Sequence, residues 1–438
     1  MHSLRRTGCS LSNVRTCIST GIRPSSKSYS LSFVNFARQH HVAAVVVGGG
    51  PAGVAAVGNL LMHIDRGAKV AWVDNAFRGG RINEKYREVP SNTTAGLFLT
   101  YAHAVKPLQN ICDEAPEPNA VSAIAELPQN EPCSLHQAGD MIKFLSDGLV
   151  KNKRVESTLG QVTEARWDET TSTWSLTVNS STPETTVELT APLVVYCTGS
   201  SPATAKIAPS SPTEPSPAPL DLELALKPSG LAHNLPTDKP LTIGVVGTSH
   251  SAVLVLMNLV QLAQSTHPKL RVKWFARTPY LKYAKYLPGG VIKHDNTGLK
   301  GSAAKFAKAQ LEAGNLKRSD AGRVISRVDC DGGPEKERAS LDRYLPQCDY
   351  LVQAVGYVRD PLPKMERGLE KRLTFDHETG GFTDRETGKV VKGLFGAGIA
   401  FPQRVVDASG SVEFAVGFFK FMKFLKMVTP EWVSEVRK

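Results

Sequence analysis

Hydrophobic positions in this chain recur in two patterns, short β-branched runs that end in glycine turns and longer stretches with helical spacing. From Val42 a β-branched run meets Gly48-Gly49-Gly50, an alanine-rich helical stretch follows, and a second strand ends at Asp74. A helix is predicted around Met141 to Val150. Alternating segments near Val162 to Trp167 and Trp174 to Val178 predict antiparallel strands, and Leu193-Val194-Val195-Tyr196 predicts a buried strand leading into Cys197-Thr198-Gly199. The strand–turn–helix pattern then repeats from Leu241 through Leu262, with a further strand from Arg271 to Ala276 that ends at Arg277. Tyr350 to Ala354 and Gly393 to Gly398 predict two more buried strands, and an apolar helix is expected from about Ser411 to Met427.

Between residues 200 and 240 the composition shifts. Pro202, Pro209, Pro212, Pro215, Pro217 and Pro219 stand among Ser, Thr and Ala, and proline at that density stops both helix and ladder. The segment 200–240 is therefore predicted to be a linker. The order that results is an α/β chain of two Rossmann-like dinucleotide-binding domains, the second inserted in the first. Residues 41–199 form the first part of one domain, 241–344 the inserted domain, 345–428 the returning part, and 429–438 a tail.

The two glycine turns carry the chemistry. Gly48-Gly49-Gly50-Pro51-Ala52-Gly53 has a strand before it, a helix after it, and Asp74 26 residues beyond Gly48. Gly48 permits the tight turn, Gly50 admits a pyrophosphate to the backbone, Gly53 lets helix and sheet pack closely, and the carboxylate suits ribose hydroxyls. The helix N-terminus adds free N–H groups and partial positive charge. In the second unit Gly247, Ser249 and Ala252 occupy the three glycine positions, with His250 and Ser251 between them. The following strand ends in Arg277 where a first-type module has an acid, a choice that suits a 2′-phosphate and favours NADPH over NADH.

Four patches together resemble the flavin-containing and N-hydroxylating monooxygenases: Gly48 to Gly53, Gly79-Gly80-Arg81, Asn92-Thr93-Thr94, and Asp349-x-x-x-Gln353-Ala354-Val355-Gly356-Tyr357. The closing Gly393-Leu394-Phe395-Gly396-Ala397-Gly398 is similar to the last FAD-contacting strand of the wider two-dinucleotide flavoproteins, the pyridine nucleotide-disulfide oxidoreductase-like group. The resemblance implies FAD on the first domain, held by Gly48, Gly50, Pro51, Ala52, Gly53 and Asp74, by Gly79, Gly80 and Arg81, and by Thr198, Gly199, Gly356 and Gly398. It implies NADPH on the second, at Gly247, Ser249, His250, Ser251, Ala252 and Arg277, and it places Asn92 beside the flavin as the catalytic hydrogen-bonding group. The late motif marks the return to the FAD domain. Three positions depart from the pattern. No Phe-x-Gly-x-x-x-His signature precedes Gly244, Val355 stands where Thr is usual, and Ile399 stands where an Asp often follows the final Gly-x-Gly. The last change removes a carboxylate near the FAD ribityl or pyrophosphate and leaves that work to backbone N–H groups.

Charge changes the picture only at the N-terminus. Of the formal +11, Arg5, Arg6, Arg15, Arg23, Lys27 and Arg38 supply six before any acidic residue appears at Asp65, leaving +5 for the rest. That remainder predicts no nucleic-acid surface. The same basic segment holds nine serines and scattered apolar residues, the composition of a transit peptide, so residues 1–40 are read as targeting to the mitochondrial matrix, with a plain tail on a cytoplasmic protein as the alternative. The seven cysteines contain no Cys-x-x-Cys and so neither a disulfide framework nor a redox-active dithiol. No metal-ligand set is expected, and Cys197 and Cys348 read as small buried hydrophobes. No apolar run reaches the roughly 20 residues of a membrane span.

The sequence thus predicts an FAD-dependent oxidoreductase that takes hydride from NADPH, a monooxygenase of a small nucleophilic substrate in its narrower form. Two alternatives stand beside it: a dehydrogenase passing electrons to a quinone, ferredoxin or other acceptor, and a flavin-binding protein without turnover. A homo-oligomer is compatible with either. The run Asp295 to Gly301, downstream of Tyr280, Lys282, Tyr283, Lys285 and Tyr286, reads either as a loop over nicotinamide or substrate with Lys282 at a phosphate, or as a glycine turn with Ser302 capping a helix from Ala303. The basic, aromatic C-terminal helix, with Phe418, Lys420, Phe421, Lys423 and Phe424, is expected to pack on the first domain, or else to meet a membrane or partner.

Overall fold

A computed structural model describes residues 38–181, 184–288, 291–407 and 410–438. The basic segment read as a targeting sequence lies almost wholly outside the described residues. The β-branched run Ala44–Val47 forms the middle of a parallel sheet, where strands buried on both faces are apolar throughout rather than alternating. In spatial order the parallel strands are Val155–Asp168, Val70–Asp74, Ala44–Val47, Val194–Tyr196 and Val390–Gly396. Beyond Val390–Gly396, Gly381–Asp384 and Leu373–Phe375 extend the sheet antiparallel. At the other edge Val155–Asp168 runs on into an antiparallel pairing with Thr173–Ser181, as the alternating pattern predicts, and Glu184–Ala191 adds a third strand that the pattern does not predict.

One face of this sheet is covered by helices Pro51–His63, Leu135–Val150 and Phe418–Glu435, which bury Val54, Leu60, Met141, Leu145, Phe424 and Trp432 against Trp72 and Val195. The other face buries Val45, Val73, Leu176, Tyr196, Phe382 and Phe401. A second, wholly parallel sheet has the order Ala218–Pro219, Tyr350–Gln353, Leu241–Val246, Leu270–Ala276 and Ile325–Asp329. Helix His250–Ser265 covers one side of it and helix Pro334–Tyr344 the other.

Three boundaries differ from the sequence expectation. Tyr350–Gln353 pairs with Leu241–Val246, so the chain returns to the first domain after Gln353 rather than at about 345. A short buried strand such as Tyr350–Gln353 reads alike in either sheet, and only its pairing decides. The segment 200–240 is not linker throughout. Ala218–Pro219 adds an edge strand to the second sheet, and Leu220, Leu222, Leu226, Leu231 and Leu235, on or beside helices Leu222–Ala225 and Pro228–Asn234, enter that domain's core. Finally, the C-terminal apolar stretch divides. Val412–Ala415 pairs with Gln403–Val406 as a hairpin, Gly417 turns with φ 140°, and the helix then runs Phe418–Glu435 through the residues expected to be tail.

The chain crosses between domains on two strands, Ser200–Pro202 outward and Tyr357–Arg359 inward, which pair antiparallel. Trp432 anchors the end of the chain. Its ring stacks on Phe395 with centroids 4.6 Å apart, and its indole N–H donates to the Thr379 carbonyl at 2.7 Å. Removing a buried aromatic of this size costs about 3–5 kcal/mol. Trp432→Ala is therefore expected to lower the unfolding midpoint of the first domain by on the order of 10 °C in calorimetry. An unchanged midpoint would mean that this segment is a tail after all.

Candidate active site

The first turn is built by a close approach. A methyl group on Gly53 would stand 1.8 Å from the Gly48 carbonyl oxygen, so no larger residue lets helix Pro51–His63 start there. Gly80, at φ 66°, faces Gly50 so tightly that its own methyl would lie 2.8 Å from the Gly50 Cα, and this contact sets the Gly79-Gly80-Arg81 motif against the turn. Asp74 closes the loop from the next strand. One carboxylate oxygen accepts from the Gly49 N–H at 2.6 Å, the other from Ala76 and Phe77 at 2.9 and 2.7 Å. Gly398 lies over Ala52, and Thr198-Gly199 follows the neighbouring strand, so both reach the same end of the sheet. No side chain caps the helix at Gly50, and Thr198 Oγ1 and Ser200 Oγ are buried without a partner. A glycine cradle, an uncapped helix start and orphaned hydroxyls together fit the diphosphate and ribityl portion of a dinucleotide.

The second turn repeats the first down to one hydrogen bond. The Trp72 indole donates to the Gly48 carbonyl at 2.9 Å, and Trp274 donates to the Gly247 carbonyl at 2.7 Å. Trp72 stands opposite Val46 and Trp274 opposite Val245, each pairing two residues before its glycine. Ser249 precedes helix His250–Ser265 without a side-chain cap, Ser251 and buried Ala252 lie in its first turn, and Gly247 abuts the Ala354 carbonyl. Strand register places Ala276 at the position of Asp74, with Arg277 one residue later. The Arg277 Nε pairs with Glu337 at 2.7 Å. Thr248 and Thr278 join the two loops through their hydroxyls at 2.9 Å.

The second domain meets the first along a polar seam. Arg81 donates to the Glu223 carboxylate through Nε and a terminal nitrogen at 3.1 and 2.7 Å, and Tyr86 donates to the same oxygen at 2.8 Å. Burial foremost, then Tyr357 and Glu223, pushes the Tyr86 hydroxyl far above its ordinary pKa, so it acts as a donor. Asn92, exposed on strand Pro90–Thr94, lies under Gly301 of the second domain, whose missing methyl would be 3.7 Å from the Asn92 Cα. The loop before Gly301 grips the C-terminal hairpin. The buried Glu413 accepts from the Asn296 backbone and side chain and from Thr297, and Asp295 pairs with Lys300 at 2.8 Å and with Lys420 at 2.5 Å. Burial pushes the Glu413 carboxyl up, and these donors outweigh it and hold the pKa below its usual range. His294, Asp407 and Glu413 bring ligand-type atoms within 4.8 Å of one another. The Asp407 oxygen on the His294 side already accepts the His294 backbone N–H, and Glu413 is filled by Asn296 and Thr297. The expected helix cap at Ser302 is not made; the helix starts at Gly301 after Lys300.

The chain is 50% identical over 397 residues to monooxygenase AgnR1 of Paecilomyces divaricatus, covering 90% of this chain and 98% of AgnR1. The chain belongs to that monooxygenase family. No family model matches it. Among solved structures, FAD-bound DfoA, a desferrioxamine-pathway cadaverine monooxygenase from Erwinia amylovora, superposes with a TM-score of 0.58 at 14% identity, over 90% of this chain and 94% of that one. The ornithine N-hydroxylase KtzI of Kutzneria sp. 744 gives 0.53 at 15% identity over 91% and 99%. At such identities the likeness is one of fold, the two-dinucleotide flavoprotein fold.

Within this monooxygenase fold the structure gathers Gly48 through Gly53, Asp74, Gly79, Gly80, Arg81, Thr198, Gly199 and Gly398 at one end of the first sheet, and Gly247 through Ala252 with Arg277 at one end of the second. Gly356 falls between, just before the inward crossing strand. Sequence reasoning missed Glu223 because it sits in the proline-rich region. It also missed the paired tryptophans, whose matching place in the two repeats was a legible signal. His250 faces the seam with a buried, unpartnered Nδ1. Burial foremost, with Lys300 adding to it, pushes its imidazole down to about 4. A histidine held neutral in the fold binds a proton on unfolding below its ordinary pKa of roughly 6.5. Stability is therefore expected to be flat above pH 6.5 and to fall as pH drops toward 4. Denaturant titrations of wild type and His250→Gln across that window should show a shallower loss in the variant, and equal slopes would refute the assignment.

Proposed function

We propose that the chain is an FAD-dependent monooxygenase that draws hydride from NADPH and acts on a small nucleophilic substrate. The observation that carries this reading is the pair of matched glycine turns facing one seam, one with an acid at the next strand's end and one with an arginine just beyond it. Membership in the AgnR1 family supports oxygen-inserting chemistry, and the fold is shared with DfoA solved with FAD and with KtzI solved with reduced FAD, NADP+ and L-ornithine. When bound, FAD supplies the redox chemistry, accepting hydride and passing electrons to dioxygen.

The chain's own residues bind, orient and exclude water. Gly48 to Gly53 and the helix start hold the FAD diphosphate, and Asp74 accepts from its ribose. Gly79 and Gly80 keep the backbone close enough for that cradle, and Arg81 joins it to the second domain through Glu223. The start of helix His250–Ser265 takes the second dinucleotide, and Arg277 takes its 2′-phosphate. Asn92, at the seam between the two, offers its amide to the reacting centre. Neutral His250 adds no charge there. We read the basic N-terminal segment as a mitochondrial address.

Adding NADPH to the purified protein without oxygen should bleach its flavin band, and admitting air should restore it. Restoration only by an artificial acceptor would favour the dehydrogenase alternative. A colourless protein, or one indifferent to both nicotinamides, would end the oxidoreductase reading. A charge-assisted contact to phosphate is worth about 1.5–3 kcal/mol, so Arg277→Ala should raise KM for NADPH by roughly 10- to 100-fold and leave NADH unchanged. Equal effects on both coenzymes would remove Arg277 from the 2′-phosphate site.

A further inference from the structure

The missing carboxylate at Ile399 has a counterpart of opposite charge on the crossing strands. Arg359 ends the inward strand Tyr357–Arg359 and stands directly opposite Ser200 in an antiparallel register. Opposite residues in such a pair project to the same side, with Cβ atoms about 5 Å apart. The Ser200 hydroxyl on that side is buried and unpartnered, and Ser200 as a residue is 6% exposed. Thr198, two residues earlier, has a second buried hydroxyl without a partner. Asp360, the nearest acid in sequence, projects to the other side and accepts from Ser201. Arg359 is thus kept from the carboxylate beside it.

The guanidinium is nonetheless fixed. Its Nε donates to the Ala400 carbonyl at 2.9 Å, and its plane lies over Phe401 at 4.1 Å from the ring centroid. Those two contacts tie it to the loop that begins at Gly398, the residue packed on Ala52 in the first turn of helix Pro51–His63. The Asp360 N–H donates to the Gly199 carbonyl, which ties the same strand end to Thr198-Gly199. Arg359 as a whole is exposed, yet partial burial of its guanidinium lowers the pKa from its ordinary range, and no acid contributes to offset it. An oriented, stacked guanidinium without a carboxylate, next to orphaned hydroxyls, is an anion-binding arrangement.

We infer that Arg359 is a ligand of the FAD diphosphate, with the Ser200 and Thr198 hydroxyls beside it. This rests on the FAD site proposed above. It also places a cofactor contact on the strand pair that joins the two domains.

The test is FAD affinity of the full-length, flavin-stripped chain, measured by fluorescence titration at low and high salt. Arg359→Met keeps a side chain over Phe401 and removes the charge, whereas Arg359→Lys keeps the charge. Methionine should weaken FAD binding by about 10- to 100-fold and flatten its salt dependence, and lysine should lose clearly less. The NADP+ affinity of the FAD-loaded forms should stay unchanged. Wild-type affinity in Arg359→Met, equal losses in both variants with unchanged salt dependence, or a loss that falls on NADP+ would each overturn the inference. Failure of the unsubstituted chain to bind FAD would instead overturn the site itself.

Discussion

Everything functional in this chain depends on how near a helix can start to the strand that precedes it. At the first turn the margin is set by Gly53, where a single methyl would fall 1.8 Å from the Gly48 carbonyl oxygen. Such closeness would strand that carbonyl away from water, at a cost of roughly 1–3 kcal/mol for an unsatisfied buried acceptor. Trp72 removes the problem by donating its indole N–H to it, and Trp274 does the same for Gly247. Each indole is fully buried, so the same side chain fills space beneath the turn and satisfies its polar group. The Gly48, Gly49 and Gly247 amides are already paired within the fold, so with the carbonyl turned inward it is the amides at the helix starts that are left for a ligand.

The seam between domains follows a second constraint, that a buried carboxylate must be surrounded by donors. Glu223 belongs to the second domain and receives Arg81 and Tyr86 from the first, while Glu413 belongs to the first and receives Asn296 and Thr297 from the second. The exchange is reciprocal. Separating the domains would strip two carboxylates of their partners at once, and removing one partner of a buried charge costs more than the intact pair contributes. These contacts hold Gly301 over the Asn92 strand, so the spacing of the two glycine turns is a consequence of where the acids lie.

The elements were legible in the sequence wherever local pattern decides. Both glycine turns, the antiparallel pair around Val162 to Val178 and the apolar C-terminal helix follow from periodicity and from residues with few conformations open to them. What was not legible depends on pairing. Tyr350–Gln353 could have joined either sheet, and only its hydrogen bonds to Leu241–Val246 assign it. The leucines after Pro219 were obscured by the prolines before them, although Leu220, Leu222, Leu226 and Leu231 all enter a core. Strand Val412–Ala415 misled for a stronger reason. It exposes Val412 and Phe414 and buries Glu413, the reverse of an amphipathic strand, because the carboxylate is needed at the seam. In the site, the residues carried by motifs came together, whereas Glu223, Glu413 and Arg359 act through partners more than 40 residues away, and no local window contains them.

Charge distribution links the composition to this geometry. Of the surplus of +5 that remains beyond the basic N-terminal segment, much lies in one place: from Arg277 to His294 there are Arg277, Lys282, Lys285 and Lys293 and no acidic residue. That stretch leaves the end of the second sheet at the arginine beside the second turn, and its loop closes on the seam near Glu413, where Lys282 contributes to keeping the carboxyl ionised. A dinucleotide with a diphosphate and a 2′-phosphate brings several negative charges to this edge, and a local excess of fixed cations raises its concentration there. The same surplus spread evenly over the surface would be screened within about 10 Å at ordinary salt and would do nothing for either cofactor.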